Sequence, residues 1–198
     1  MTNKKTIVFA TSNQNKILEI NKLLTSDLNL EIKTLADINV TEDIPETGKT
    51  ITENAIQKAS YIYNNYGFNC FAEDTGLLVD ALNGEPGIYS ARYAGEDRND
   101  NKNIKKILKN LNNTSNRNAH FKTVIALILD GETYTFEGKI EGEITKEPQG
   151  TSGFGYDPIF KPRGYNQTFA EIGLEEKNKI SHRAKALDKL ISFLESVK

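Results

Sequence analysis

One cysteine, Cys70, is the whole thiol content of these 198 residues. A disulfide framework and a cysteine-based zinc site within one chain are thereby excluded. No apolar run approaches the ~20 residues of a membrane span, and the polar N-terminus is read as carrying no secretory signal. Asn-x-Ser/Thr matches, those at Asn112, Asn113 and Asn166 among them, are then expected to be chance matches in an Asn-rich chain, and a reducing cytoplasm is the expected location. Charge of neither sign is in surplus: 25 Lys and Arg face 27 Asp and Glu, a net −2. No global field therefore draws nucleic acid or an anionic membrane, and any seat for a polyanion must be a local basic cluster. A GxxxxGK[ST] run is also missing, which excludes a Walker-type phosphate loop. Hydrophobic residues at 37% and charged residues at 26% are ordinary for a globular protein with a substantial core, read as a single domain over 1–198.

What is present is alternation. A β-branched and aromatic run, residues 6–10, leads into the polar turn Thr11-Ser12-Asn13-Gln14-Asn15-Lys16 and then a helical stripe of Ile17, Leu18, Ile20, Leu23 and Leu24. A helix N-terminus has unpaired N–H groups and partial positive charge, so this strand–turn–helix offers a seat for phosphate. Lys16 adds a full charge, and Ser12 and Asn13 add directional donors; an ordinary capped turn with a solvated lysine is the plainer alternative. Residues 30–34 read as a second strand, and residues 35–49 as a polar connector carrying Glu42, Asp43 and Glu46. Thr50 and Glu53 have capping-box spacing before a helical face of Ala55, Ile56, Ala59, Ile62 and Tyr63, which Gly67 stops. Residues 69–72 read as a buried strand ending in Glu73-Asp74-Thr75-Gly76. Ile104, Ile107, Leu108 and Leu111 mark a further helix, and the Asn-rich residues 110–118 a mobile loop. Residues 121–129 and 133–144 alternate as strands around the hairpin signal Asp130-Gly131. Residues 148–163 resist assignment apart from a short strand at Ile159-Phe160, and an amphipathic helix runs from about Ser181. Alternating βα units followed by antiparallel strands predict an α/β fold with a central mixed sheet flanked by helices.

Three constellations could carry chemistry. Glu73 and Asp74, read at the C-terminal end of a strand, sit where open α/β sheets bind ligands, and a hard cation such as Mg²⁺ would relieve their repulsion. Glu46 could add a third oxygen ligand; a solvated strand end is the bland alternative. In Gly153-Phe154-Gly155-Tyr156-Asp157, glycines allow close backbone approach and an aromatic between them can present an open face for stacking, unless the aromatics simply pack on the core. Lys177, His182 and Arg183 surround the start of the last helix, where Ser181 is a good N-cap; His182 and Arg183 in its first turn run against the dipole preference for acidic residues there. His120 falls in a strand pattern and reads as structural.

Taken in order, these elements resemble the inosine/xanthosine triphosphate pyrophosphatase family, the house-cleaning enzymes that hydrolyse deaminated purine nucleoside triphosphates. The resemblance rests on Phe9 through Lys16, Pro45-Glu46-Thr47-Gly48 with Glu53-Asn54-Ala55, and Ala72 through Leu77. It continues through Gly84-Glu85-Pro86-Gly87-Ile88-Tyr89-Ser90-Ala91-Arg92-Tyr93, Gly153 through Pro158, and Glu176 through Arg183. It implies an elongated, two-lobed α/β fold with an active-site cleft between the lobes, a homodimer, and Mg²⁺-dependent cleavage between the α- and β-phosphates to a nucleoside monophosphate and pyrophosphate. It further implies that Thr11, Ser12, Asn13, Gln14, Asn15 and Lys16 hold phosphate. Asp74 would be base and metal ligand, with Glu73 and Glu46 as further ligands and Thr75 beside the substrate. Phe154, Gly155, Tyr156, Asp157, Lys177, His182 and Arg183 would surround the nucleotide. Many relatives carry Gly where Ser12 stands, or Ser where Thr75 stands; both exchanges keep a compact turn or a hydroxyl. A non-catalytic purine nucleotide sensor on the same fold would not need Glu73-Asp74. A nucleic-acid-binding module would call for a basic stripe that the chain lacks.

Overall fold

The computed structural model describes residues 5–23 and 30–197, the side chains of residues 21–23 excepted; Leu24 and the Leu23 side chain of the anticipated stripe lie outside that set. The elements run β1 (Lys5–Phe9), α1 (Gln14–Leu23), β2 (Leu30–Thr34), α2 (Ile51–Tyr66), β3 (Cys70–Val79) and α3 (Asp100–Asn110). They continue with β4 (Asn118–Leu129), β5 (Glu132–Ile144), β6 (Phe160–Pro162), α4 (Phe169–Ile180) and α5 (His182–Ser196). Hydrogen bonds join six strands in the order β2-β1-β3-β4-β5-β6. β1 pairs in parallel with β2 and β3, and β5 antiparallel with β6, so the sheet is mixed as the alternation predicts. Among the described residues no helix is long and apolar enough to cross a membrane.

The chain packs as two compact units. The first comprises Met1–Asp74, Thr123–Glu137 and Lys185–Lys198; the second comprises Thr75–Lys122 and Gly138–Ala184. Within the first, Ile7, Phe9, Phe71, Ile125 and Leu127 share a buried cluster with Ile20 of α1 and Leu187 and Leu190 of α5. Phe9 and Phe71 stack there at 4.6 Å and 10°. Within the second, Leu77, Ile107, Leu111, Phe121, Phe160 and Phe169 form a separate core. Burying such side chains is worth about 1.5–3 kcal/mol each, so each unit carries its own stabilising centre.

Turn chemistry follows the sequence. Asp130 (φ 53°) and Gly131 (φ 92°) are both left-handed, as a tight hairpin requires. Gly67 ends α2 at φ 72°, its N–H donating to the Tyr63 carbonyl. Two expectations are corrected. β3 does not end before its acids but runs ten residues to Val79; only its first two residues pair with β1, and the strand continues beside its other hydrogen-bonded neighbour, β4. Residues 164–180 also hold a helix unforeseen from the sequence, α4, opened by a reciprocal Thr168–Glu171 capping box and kinked at Gly173 (φ 76°).

Candidate active site

Successive side chains leave opposite faces of a strand, so two neighbouring acids are separated by default. The register Val8↔Cys70 and Phe9↔Phe71 fixes which acid goes where. Phe71 lies in the cluster with α1 and α5, whereas the Cys70 thiol donates to the Ala59 carbonyl of α2 at 3.0 Å. Two residues beyond Phe71, Glu73 faces α1; four beyond Cys70, Asp74 faces α2. The ion pairs agree: Lys16 Nζ is 3.1 Å from Glu73 Oε1, and Lys58 Nζ donates to Asp74 Oδ1 at 3.2 Å. The same Lys58 ammonium donates to Glu46 Oε1 at 2.5 Å, and Asn54 Nδ2 donates to Asp74 Oδ2 at 3.4 Å. Glu46 and Asp74 therefore converge on one cationic position, while Glu73 is sent to another. Among the described residues no three His, Cys, Asp or Glu side chains gather at a common point.

Lys58 is the functional candidate that the sequence reading passed over. It shares the buried stripe of α2 with Ile51, Asn54, Ala55, Ala59 and Ile62. Asn54 and Lys58, four apart on an apolar face, were the legible signal, because an unsatisfied polar group there is costly. The connector bearing Glu46 is clamped to the same helix. Thr47 N–H donates to Gln57 Oε1 at 2.8 Å and Gln57 Nε2 donates to Thr47 Oγ1 at 2.9 Å. Gly48 N–H donates to Asn54 Oδ1 at 2.8 Å. A Cβ at Gly48 would meet Glu53 Cβ at 2.7 Å and Asn54 Oδ1 at 2.8 Å, so only glycine brings the connector this close. Thr50 caps α2 by accepting from Glu53 N–H at 3.0 Å, but the Glu53 carboxylate reaches Lys49 N–H rather than closing the box on Thr50.

Burial pushes the Asp74 carboxyl above its ordinary range, against the pull of Lys58 and Lys16. Burial works against the Lys58 charge too, but Asp74 and Glu46 outweigh it and shift that group upward, so it remains an ammonium. A carboxylate whose pKa is raised by burial holds a proton more readily than a solvated one, which suits it to accept a proton. Glu46 and Asp74 also supply hard oxygen donors aimed at one cation position. Mg²⁺ is commonly bound through one or two carboxylates and several waters, so the donor set fits that ion.

In the first turn, Asn13 caps α1: its Oδ1 accepts from the N–H groups of Asn15 (3.0 Å) and Lys16 (3.3 Å). Thr11 Oγ1 accepts from Asn13 N–H at 3.2 Å. Ser12, Gln14 and Asn15 are exposed, and Thr75 is half-buried on β3 directly after Asp74.

The second unit gathers the other candidates. Asp157 is buried and its Oδ2 accepts from Phe154 N–H at 3.0 Å and from Lys177 Nζ at 2.6 Å. Lys177 Nζ lies 4.7 Å, and the Arg183 guanidinium carbon 5.6 Å, from the Phe154 ring centroid, within cation–π range. His182 is buried and stacks on Phe121 at 4.6 Å and 13°. Ser181 caps α5 by accepting from Ala184 N–H. The two residues that run against the dipole preference are thus each received by an aromatic ring, Arg183 by Phe154 and His182 by Phe121. Tyr156 is turned inward, its hydroxyl donating to the Ser90 carbonyl at 2.8 Å, and Gly155 N–H donates to Asp100 Oδ2 at 2.7 Å.

A mixed α/β sheet whose strand-borne acids are each met by a lysine from a flanking helix, with a separate cation–aromatic cluster, defines an α/β protein with charged side chains buried in both units. Comparison with known proteins narrows the class. The Ham1 family model matches residues 7–193, and the chain belongs to that family. It is 56% identical over 97% of its length, and 99% of the relative's, to the dITP/XTP pyrophosphatase of Flavobacterium johnsoniae. It is 46% identical to the protein of the same name from Bacillus subtilis, covering 97% and 98% of the two chains. Among solved structures it is similar to the Ham1 protein of Staphylococcus aureus, with TM-score 0.90, 42% identity and coverage of 98% and 100%. A HAM1 protein from Coxiella burnetii gives 0.91, 41%, and coverage of 97% and 99%.

Proposed function

We propose that this chain is a house-cleaning hydrolase that converts deaminated purine nucleoside triphosphates (ITP, dITP, XTP) to the monophosphate and pyrophosphate, keeping them out of nucleic acid. The observation that carries this reading is the buried Asp74 carboxyl, raised by burial and joined to Glu46 through Lys58. Its support from outside the chain is the near full-length match to relatives named dITP/XTP pyrophosphatases. Asp74 takes the proton of a water whose oxygen bonds to the α-phosphorus, as the bond from that phosphorus to the bridging β-phosphate oxygen breaks. Lys16 and Lys58 meet the charge of the triphosphate and of the departing pyrophosphate. Mg²⁺, when held by Glu46 and Asp74, supplies charge neutralisation at the phosphates.

At the base end, a 6-carbonyl presents an acceptor where adenine presents an amino donor. Arg183 satisfies the carbonyl, and Phe154 offers a face indifferent to that substituent. The decisive experiment is a panel of nucleoside triphosphates with Mg²⁺, scoring pyrophosphate separately from orthophosphate, with and without EDTA. Pyrophosphate from inosine and xanthosine triphosphates, abolished by EDTA and restored by Mg²⁺, is expected. Orthophosphate as primary product would overturn the assigned bond. We also infer a homodimer, which sedimentation of the purified chain tests.

A further inference from the structure

We propose that Asp100, the first residue of α3, is a positioning residue for the nucleotide base: its carboxylate fixes the backbone that carries Phe154, and through it the affinity for the purine. This rests on the reading of the Phe154 cluster as the base end.

Phe154 stands between Gly153 (φ 80°) and Gly155 (φ 62°), two residues with far more backbone freedom than any other type. Such a segment holds one conformation only if something outside its own dihedral preferences restrains it. Its anchors are few. Phe154 N–H donates to Asp157, three residues on, and that carboxylate also carries Lys177. Gly155 N–H donates to Asp100 Oδ2 at 2.7 Å, across 55 positions of sequence. Two consecutive N–H groups are therefore held by two carboxylates from separate elements, which fixes the peptide plane after Phe154 as well as the one before it. The seat of Asp100 is itself firm. Asn99 caps α3 by accepting from Lys102 N–H at 3.0 Å. Asn103 accepts from Ala94 N–H at 2.7 Å and donates to the Ala91 carbonyl at 3.0 Å. A support held this way can transmit placement to a neighbouring loop.

Asp100 is exposed, so it can be replaced without opening the core. Its charge also suits the N-terminus of α3, and that contribution acts on stability, not on purine affinity. The two roles separate on Asp100→Ala and Asp100→Asn, because the asparagine amide oxygen still accepts from Gly155 N–H while the charge is gone. KM and kcat for inosine and adenosine triphosphates with Mg²⁺, together with Tm, are measured for both variants and the parent. Loss of one hydrogen bond predicts that Asp100→Ala raises KM for inosine and adenosine triphosphates alike, about 3- to 10-fold, and leaves kcat within about 2-fold. Asp100→Asn is expected to restore KM while keeping the lower Tm. An unchanged KM in Asp100→Ala, or an Asp100→Asn no better than Asp100→Ala, overturns the proposal alone. A parent protein that releases no pyrophosphate from any triphosphate overturns the functional reading and this role with it.

Discussion

At the scale of the residue, Asp74 and Glu73 differ although they are neighbours. As base, Asp74 changed to Asn should lose at least the ~10²–10⁴-fold of general acid–base catalysis, with the fold retained in circular dichroism. If Glu73→Gln is the inactive variant instead and Asp74→Asn turns over normally, the roles are reversed. A pH profile tests the environment of Asp74. Burial raises its pKa above the ordinary 3.8 while the Lys58 and Lys16 ammoniums lower it, so the base loses its ionised form as pH falls through that raised value. Removing an ammonium removes a lowering influence, and Lys58→Met should move the acid limb of kcat/KM to higher pH. A limb that stays put, or moves down, excludes Lys58 as the group controlling Asp74. In the second cluster Lys177 pairs with Asp157, and the Arg183 guanidinium lies against the Phe154 ring. Phe154→Ala should weaken inosine and adenosine triphosphates alike, by roughly 1–3 kcal/mol if stacking resembles that of single-strand sites. Arg183→Lys should narrow their ratio, since it keeps charge but loses the planar fork. A ratio that collapses only in Phe154→Ala would mean selection by shape.

At the scale of the element, the connector and α2 act together. Gly48→Ala must displace either the Glu53 stem or the Asn54 amide, and a shift of about 1 Å at a reacting centre can cost ~10²-fold. The expected result is a large fall in kcat/KM with a small change in Tm; a fall in Tm alone would separate the connector from the chemistry. In α4, Thr168 accepts within the capping box, donates to the Gln149 carbonyl at 2.9 Å and is fully buried. Thr168→Ala should therefore cost toward the upper end of the usual cap loss, about 2 kcal/mol, read from urea unfolding. The same elements show what the chain discloses without a structure. β1, β2, the Asp130-Gly131 hairpin, α2, α3 and α5 were legible because their signals are local: apolar period, caps and turn residues. The extension of β3 was not, because Glu73 to Gly76 is polar and the neighbour that pairs with it, β4, is distant in sequence. α4 was hidden by Gly173, whose left-handed dihedral breaks the period, although the spacing of Thr168 and Glu171 announced its start. At the site, the cluster around Asp157 was recognised by composition, but the inward turn of Tyr156 and the reach of Asp100 are tertiary facts that no spacing encodes.

At the scale of the whole molecule, each unit has its own core, yet β3, β4 and β5 contribute residues to both units. Strands shared in this way cannot melt in one unit and persist intact in the other. Urea unfolding should therefore give one transition, coincident in far-ultraviolet dichroism and tyrosine fluorescence; two separated midpoints would show that the shared strands do not couple the cores. The lone thiol offers a second way to watch this. Cys70 is fully buried at the start of β3, and burial pushes its thiol up to about 12. The thiolate is the reactive form, so at neutral pH a thiol reagent should find the native protein silent and modify it only during excursions in which β3 detaches. The pace of that modification, followed by mass with denaturant absent, is a built-in clock for the strand that carries Asp74. It also leaves the surface chemically blank: a cysteine introduced at an exposed position such as Tyr89 would be the only one to take a label, without any background substitution.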